Sequence, residues 1–447
     1  MASRIKAVQT SKQTKIAKKL AYWASGVFLL KLIIISNIPD GAWYAADGAN
    51  YIKGVEALIN DGIFSTESNL TYWPAGYPLF IYFLSFFGSN WLLTTVAITQ
   101  SALFSFSTYY FAKQILKTRL AKYVYLSFIF ILFNPTLSLS SLSIGYESLA
   151  ASGSLLIIGI ITSDLSDKKD SKFVFRLILV SAISGFLGFI QPRLLIAGFF
   201  VLFIWIIYRK SKKLIPIYVS VSLIVLLFFP ATLAFRNQEA VGVRVVSTNL
   251  GTTMDIGAGN LATGGYDSKE HGVKCNITSS DVAKADSQRV VCVLKWYVSN
   301  PSKALKLFYN KSIYFWSPWS GPVLSGTMGL NPWLKINPIT NIIKTPEGAA
   351  LIGGMLGRVI AYLWIFSGIG LLLYGFSVLF GAKGIERLIG LLAITIISSS
   401  WAITLISIGD HRFRLPVMGM SLFLQAIGLK TLLRGRKPTM VVSPALR

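Results

Sequence analysis

Residues 42–84 read AWYAADGANYIKGVEALINDGIFSTESNLTYWPAGYPLFIYFL. The stretch follows a basic leader and the first long hydrophobic run, so it reads as a loop at a membrane surface. It carries an acid, Asp47, one helical turn before Tyr51. It then passes through an amphipathic segment and ends in the turn Tyr72-Trp73-Pro74-Ala75-Gly76-Tyr77-Pro78. The spacing Asp47-x-x-x-Tyr51-x-x-x-Val55-x-x-Leu58 lines up apolar side chains on one helical face. It predicts an interfacial helix with Asp47 near its N-terminus. An acid there caps the helix and complements its dipole; alternatively it does chemistry at the membrane surface. Asp40 and Asp61 are further acids in the same loop, and Asp61-Gly62 reads as a turn.

Outward from this loop the chain is apolar. Of its 447 residues, 53% are hydrophobic and 14% charged, with a mean hydropathy of +0.59; a soluble domain carries about 25% charged residues. The apolar residues gather into runs of about 18 to 25, the length that crosses a bilayer. About ten spans are predicted, near 20–38, 91–113, 121–141, 145–163, 173–191, 193–208, 214–235, 350–380, 385–407 and 414–433. The expected fold is an all-α polytopic membrane protein, one integral domain over 1–447, with Met1 to Lys19 a leader before a retained anchor. The eighth segment is Gly-rich, which suits a tilted or broken helix.

Orientation follows from the basic residues. Arg4 to Lys19, Lys113 to Lys122, Lys168 to Arg176, Arg209 to Lys213, Lys383 with Arg387, and a tail over 434–447 alternate with loops poor in positive charge. This puts both termini on the cytoplasmic side of a plasma (inner) membrane and Asp47 on the outer side. Two outer segments are long: 39–90 with interfacial helices, and 236–349. The second holds a Gly/Thr/Asn-rich stretch from Ser247 to Tyr266, the two cysteines, a helix across Pro301–Phe315 and an aromatic turn from Phe315 to Pro322. Its Trp and Tyr residues favour a place on the bilayer.

The net charge of +25 is dispersed in short clusters between spans. Nucleic-acid binding calls for a continuous basic face, so nucleic acid is excluded as a partner. Anionic headgroups and polyprenyl phosphates suit this charge better. The chain has no P-loop, no HExxH and only two histidines. That argues against a tightly held zinc or a nucleotide-hydrolysing engine and leaves a loosely bound divalent cation, Mg or Mn, open. Cys275 and Cys292 fall in one outer loop, where a disulfide is permissible; two free thiols are the alternative.

Few other residues could do chemistry. Glu147 stands where the fourth span begins, either as a functional ionisable group or as a helix N-terminal acid. Arg193, and His411, Arg412 and Arg414 in Gly409-Asp410-His411-Arg412-Phe413-Arg414-Leu415-Pro416, are positive on the side where the bias disfavours them. An arginine fork suits a lipid phosphate; headgroup anchoring or a pair with Asp410 is the plainer use. Lys31, inside the first span, is expected to snorkel outward.

Several of these motifs resemble a family. Asp47 with Tyr51, Gly62-Ile63-Phe64 and Pro74-x-Gly76-Tyr77-Pro78 resemble the first outer loop of the GT-C-fold glycosyltransferases. The similarity is to the bacterial protein O-mannosyltransferase and lipid A aminoarabinose transferase relatives. Asn134-Pro135 followed by Glu147, Gln191-Pro192-Arg193 with its Arg-Pro order reversed, Ser247-Thr-Asn-Leu-Gly251 with Gly259-Asn260 and Gly264, and Arg412-Phe413-Arg414-Leu415-Pro416 are similar to family elements in the same order. The family's outer-loop acid is often followed by Glu; here Gly48 follows Asp47. The resemblance implies an inverting hexosyl or pentosyl transferase that moves a sugar from a polyprenyl-phosphate donor to a hydroxyl on a lipid, glycan or protein acceptor of the cell envelope. Asp47 would be the general base. Arg193, His411, Arg412 and Arg414 would hold the donor phosphate, and Tyr51, Trp73, Tyr77 and Glu147 would shape the substrate pocket. A flippase of lipid-linked saccharide, or a glycan polymerase or ligase, would share the spans and the outer arginines.

Overall fold

The computed structural model describes residues 2–45, 47–167, 170–266, 272–317 and 354–434. Lys168 and Lys169, the end of the aromatic turn from position 318, the loop up to 353 and the tail beyond Arg434 lie outside the described residues.

The helices in chain order are α1 (Ala2–Ile35), α2 (Gly48–Asp61), α3 (Asn69–Tyr72), α4 (Gly76–Ser85), α5 (Leu92–Ile115), α6 (Val124–Leu132), α7 (Pro135–Leu139), α8 (Glu147–Asp167), α9 (Phe173–Ile190), α10 (Leu194–Arg209), α11 (Ile215–Val241), α12 (Leu250–Ile256), α13 (Val282–Ser299), α14 (Pro301–Trp316), α15 (Gly354–Phe380), α16 (Ile385–Ile406) and α17 (Leu415–Leu433). Every expected span coincides with a helix or helix pair. Among the described residues, six are long and apolar enough to cross a bilayer: α8, α9, α11, α15, α16 and the segment ending in α17. The chain is an all-α polytopic membrane protein.

The remaining expected spans depart from the simple pattern for visible reasons. α1 is apolar only beyond Lys19. α5 carries Gln100, Ser101, Ser105 and Thr108, all buried. α10 has 16 residues. Residues 119–132 and 135–142 form a pair bent by 57°. The break falls at Asn134-Pro135, where proline lacks an N–H and the Asn134 side chain accepts from Leu137 N at 2.9 Å to start the next helix. The Gly-rich eighth segment is one unbroken helix, α15, from Gly354.

α8 is the central post. Its side chains are buried from Glu147 to Leu165, except for the half-buried Leu156. Small residues let neighbours close in: a Cβ on Gly153 would meet Leu187 at 2.7 Å, and one on Gly159 would meet Tyr110 at 2.8 Å. α11 and α15 lie outside, with Ile224, Phe228, Leu363 and Phe366 exposed, as lipid-facing surfaces are.

The two ends of the bundle differ. At one end Asp164 is buried between Arg176 (3.4 Å) and Arg209 (3.3 Å), and Glu386 accepts from Arg119 N at 3.2 Å. This is the end of the Lys/Arg-rich loops. The other end gathers α2–α4, the turn before α8, Arg193 and the loop between α16 and α17. Lys31 does not snorkel. It is 2% exposed and donates to Ser141 Oγ at 2.9 Å with its ammonium 4.3 Å from the Phe104 ring centre. Ser141 in turn meets Ser101 Oγ at 3.0 Å, so an interior hydroxyl cluster replaces water as the partner of the lysine.

Candidate active site at the loop end of the bundle

A pair of two-residue strands builds the site. β1 (Trp43–Tyr44) runs parallel to β2 (Ser143–Ile144), with Tyr44 opposite Ile144, and Ala45 N donates to Ile144 O at 3.2 Å. Parallel strands in register carry equivalent positions forward together. Three residues past the bridge on each strand stand Asp47 and Glu147, at the N-termini of α2 and α8. Two acids 100 positions apart in sequence are thereby delivered to one place.

The approach depends on glycines. A Cβ on Gly48 would lie 3.0 Å from Ile144 O and 3.1 Å from the Tyr44 ring. A glutamate, the residue the resemblance leads one to expect after Asp47, would need Ile144 O and the Tyr44 ring to give by a few tenths of an ångström. A Cβ on Gly145 would lie 2.5 Å from Glu147 Oε2, so the second acid arrives from β2 and packs on bare backbone. Tyr77 braces this turn from inside: it accepts from Gly145 N at 2.8 Å and donates to Gln100 Oε1 at 3.4 Å. Gln100 Nε2 donates to Ser143 O at 2.9 Å. The Tyr51 ring meets Tyr77 edge-on at 5.0 Å, and both are buried. Trp73 sits edge-on to Tyr72, ring centres 5.0 Å apart.

Asp47 occupies the N-cap position of α2, yet its side chain makes no capping bond. Its carboxylate accepts from Arg412 Nη1 at 2.6 Å. Arg412 Nε lies 3.6 Å from Asp410 Oδ2. Asp410 Oδ1 accepts from Arg412 N at 3.0 Å and contacts His411 Nδ1 at 3.1 Å. Burial opposes ionisation of Asp410, but His411 and then Arg412 hold its carboxyl below the ordinary range. Tyr51 shows how tightly the cluster is drawn. Burial, then the charges of Asp47, Tyr146 and Glu147, push its phenol well above the usual value, with Arg412 opposing.

Arg193 closes the far side. It donates to Tyr146 Oη, and its guanidinium carbon lies 3.6 Å from the Phe413 ring centre, a stacking contact that fixes its plane. Its Nε is buried without a hydrogen-bond partner. Arg414 belongs elsewhere: Nη1 and Nη2 donate to Trp316 O and Ser317 O at 2.8 and 2.9 Å, capping the C-terminal carbonyls of α14. The divergence has a simple cause. His411–Arg414 is a 3-10 turn, in which three residues complete a revolution, so Arg412, Phe413 and Arg414 point in three directions. The candidate cluster is therefore Asp47, Tyr51, Tyr146, Glu147, Arg193 and Arg412, with His411 behind it.

The long loop holds the arginine turn in place. Gly409 N donates to Gly264 O at 2.7 Å. A Cβ on Gly257 would stand 2.0 Å from Ser407 O, and one on Gly409 would stand 2.7 Å from Lys311 Cα. The Gly-rich stretch from Ser247 is thus a backbone-on-backbone seat for the 407–412 segment. Lys311, fully buried, donates to Tyr297 Oη at 2.7 Å, Leu405 O at 3.0 Å and Ser407 O. Burial lowers its pKa to about 7. Cys275 and Cys292 form a disulfide that ties the preceding segment to α13. Arg236 on α11 fastens the first loop by donating to Ile63 O at 3.0 Å, Leu70 O at 3.4 Å and Ser65 O. Sequence reasoning missed Tyr146, Phe413, Arg236 and Lys311. Only Tyr146, beside Glu147, and Phe413, between two arginines, carried a signal of position.

The carboxylates do not make a metal cage. Asp47 is already bonded to a guanidinium, and among the described residues no three His, Cys, Asp or Glu side chains gather to hold an ion.

What fold and site define is a multi-pass helical membrane protein with an acid–arginine cluster where its loops converge. No family model matches the chain, and no curated protein does. Among solved structures it is similar to the archaeal oligosaccharyltransferase AglB from Archaeoglobus fulgidus, in complex with an inhibitory peptide and a dolichol-phosphate, at 12% identity and a TM-score of 0.47. The match covers 95% of this chain and 53% of that one, so the chain spans about half the length of that protein. A likeness this slight assigns neither substrate nor activity.

Proposed function

We propose that the chain is an inverting glycosyltransferase that moves a sugar from a polyprenyl-phosphate donor to an acceptor hydroxyl on the outer face of the membrane. The observation that carries this reading is the Asp47–Arg412 pair, with Arg193 on the other side of the same cluster: a carboxylate and fixed guanidinium groups meet in one place. Arg412 and Arg193 hold the donor phosphate. As the phosphate draws on Arg412, Asp47 is freed of its ion pair and takes up its second task. The acceptor O–H gives its proton to the Asp47 carboxylate while its oxygen bonds to the anomeric carbon. The bond from that carbon to the phosphate oxygen breaks on the opposite side. The electron pair leaves with the lipid phosphate, whose growing charge the two arginines stabilise. One displacement inverts the anomeric configuration. Glu147 orients the acceptor or an arginine, and Tyr51 and Tyr77 form the rigid floor under Asp47.

The test is turnover by purified protein of a panel of polyprenyl-phosphate sugars with hydroxyl acceptors, the product anomer being read by NMR. Release of polyprenyl phosphate with inversion is expected. Retention would contradict a single displacement. Transport of labelled lipid across vesicles with no transfer would replace the enzyme reading by a transporter.

A further inference from the structure

The α13–α14 hairpin presents a surface that the site does not use. On α13 the side chains of Val291, Leu294 and Val298 lie at positions i, i+3 and i+7, on one helical face. They are 51%, 45% and 83% exposed. Across the turn, Leu305 and Tyr309 on α14 are 68% and 55% exposed. Lysines flank these apolar side chains: Lys284, Lys295, Lys303 and Lys306 are all exposed. The one acid within the two helices, Asp286, is buried and accepts from Gly251 N at 2.8 Å. An apolar stripe edged by cations and free of exposed anions is the pattern of an amphipathic element lying at a lipid surface.

The hairpin's depth agrees. Tyr297, next to Val298, donates to Ile406 O at 3.4 Å, which sets the end of α13 level with the loop end of the membrane helix α16. Further along, Trp401 Nε1 donates to Ser312 Oγ at 3.1 Å, and Trp401 meets Trp316 edge-on at 5.8 Å. Trp401 is five residues, about 7.5 Å at 1.5 Å per residue, inside the end of α16. α14 therefore enters the depth of the bundle while the α13–α14 turn stays at its rim.

We propose that the exposed face of the α13–α14 hairpin docks on anionic phospholipid headgroups at the boundary of the bilayer that holds the bundle. Val298, Leu294 and Leu305 enter the headgroup layer, and Lys295 and Lys306 meet the lipid phosphates. This stands independently of the transferase reading.

The native cysteines are bonded to each other, so a single introduced thiol can be labelled. Full-length Val298→Cys, carrying an environment-sensitive dye, is reconstituted in vesicles of phosphatidylcholine alone or mixed with phosphatidylglycerol, each with acyl-brominated quencher lipid. Quenching roughly twofold or more stronger in the anionic vesicles is expected, since each basic residue near an anionic surface adds attraction. It should fall with added salt and in a Lys295→Gln/Lys306→Gln background. Leu305→Cys serves where Val298→Cys does not fold. No quenching in either vesicle overturns the proposal. So does equal quenching in both, which leaves only apolar contact, and so does a signal that follows protein-to-lipid ratio, which marks a second copy of the chain as the occupant.

Discussion

Replacing Arg412 by glutamine removes the cation bonded to Asp47 while keeping a polar side chain of similar reach. At 2.6 Å between Arg412 Nη1 and Asp47 Oδ2, the gross attraction is about 6 kcal/mol at an effective dielectric of 20. Most of that is offset by desolvation, and removing one partner of a buried pair costs about 3 to 5 kcal/mol. The side chains are 12% and 16% exposed, so we expect the lower end, about 3 kcal/mol, for Arg412→Gln. Asp47→Asn should cost less, about 1 kcal/mol, because Arg412 keeps Asp410 at 3.6 Å. The double variant should show a coupling of about 2 kcal/mol. Unfolding in mixed micelles, for the two single variants and the double, reads all three. pH adds a second axis. In the wild type the lowered Asp410 contributes stability that is full above the unfolded carboxyl pKa near 3.9 and is lost as pH falls below it. In Arg412→Gln that acid-side loss should shrink. Additive single effects, with no coupling, would refute the ion pair as the organising contact of the site.

Other consequences are as direct. Lys311→Met leaves Leu405 O, Ser407 O and Tyr297 Oη short of a donor and should cost about 2 to 4 kcal/mol. Because burial lowers the Lys311 pKa to about 7, the unfolded state holds more protons from there to about pH 10, so wild-type stability should rise across that window and flatten in the variant. Gly257→Ala drives a methyl toward Ser407 O, 2.0 Å from the ideal Cβ. It should destabilise by about 1 to 3 kcal/mol and lower transferase turnover by shifting the arginine turn, which a melting curve and an activity assay together would show. Reducing the Cys275–Cys292 bridge, which closes a separation of 17 residues, should cost about 3 kcal/mol, seen as a fall in the unfolding midpoint with reductant.

Much of the fold is legible in the sequence because its cause is compositional. Apolar runs of spanning length and the alternation of Lys/Arg loops mark the membrane helices, and the stripe Tyr51, Val55, Leu58 marks α2 with all three side chains buried. The site is less legible. The β1–β2 bridge is two residues on each side, too short for any periodicity to register, yet it brings Asp47 beside Glu147. The Arg412/Arg414 pair looks like one phosphate clamp; a 3-10 turn separates the two guanidinium groups, and only the folded loop shows which faces Asp47. Lys311 carries no signal of position in the sequence, and its burial depends on a seat made by Gly264 and Gly409, both distant from it along the chain. Spacing alone favours a helix cap for Asp47, and that reading gives way to Arg412 through contact between residues 365 positions apart.

In the proposed mechanism Asp47 is the base. Single-turnover transfer from a polyprenyl-phosphate sugar by Asp47→Asn, beside wild type at equal donor occupancy, tests it. A loss of roughly 10²- to 10⁴-fold in the transfer rate with donor binding retained is expected; transfer at the wild-type rate would contradict Asp47 as the base.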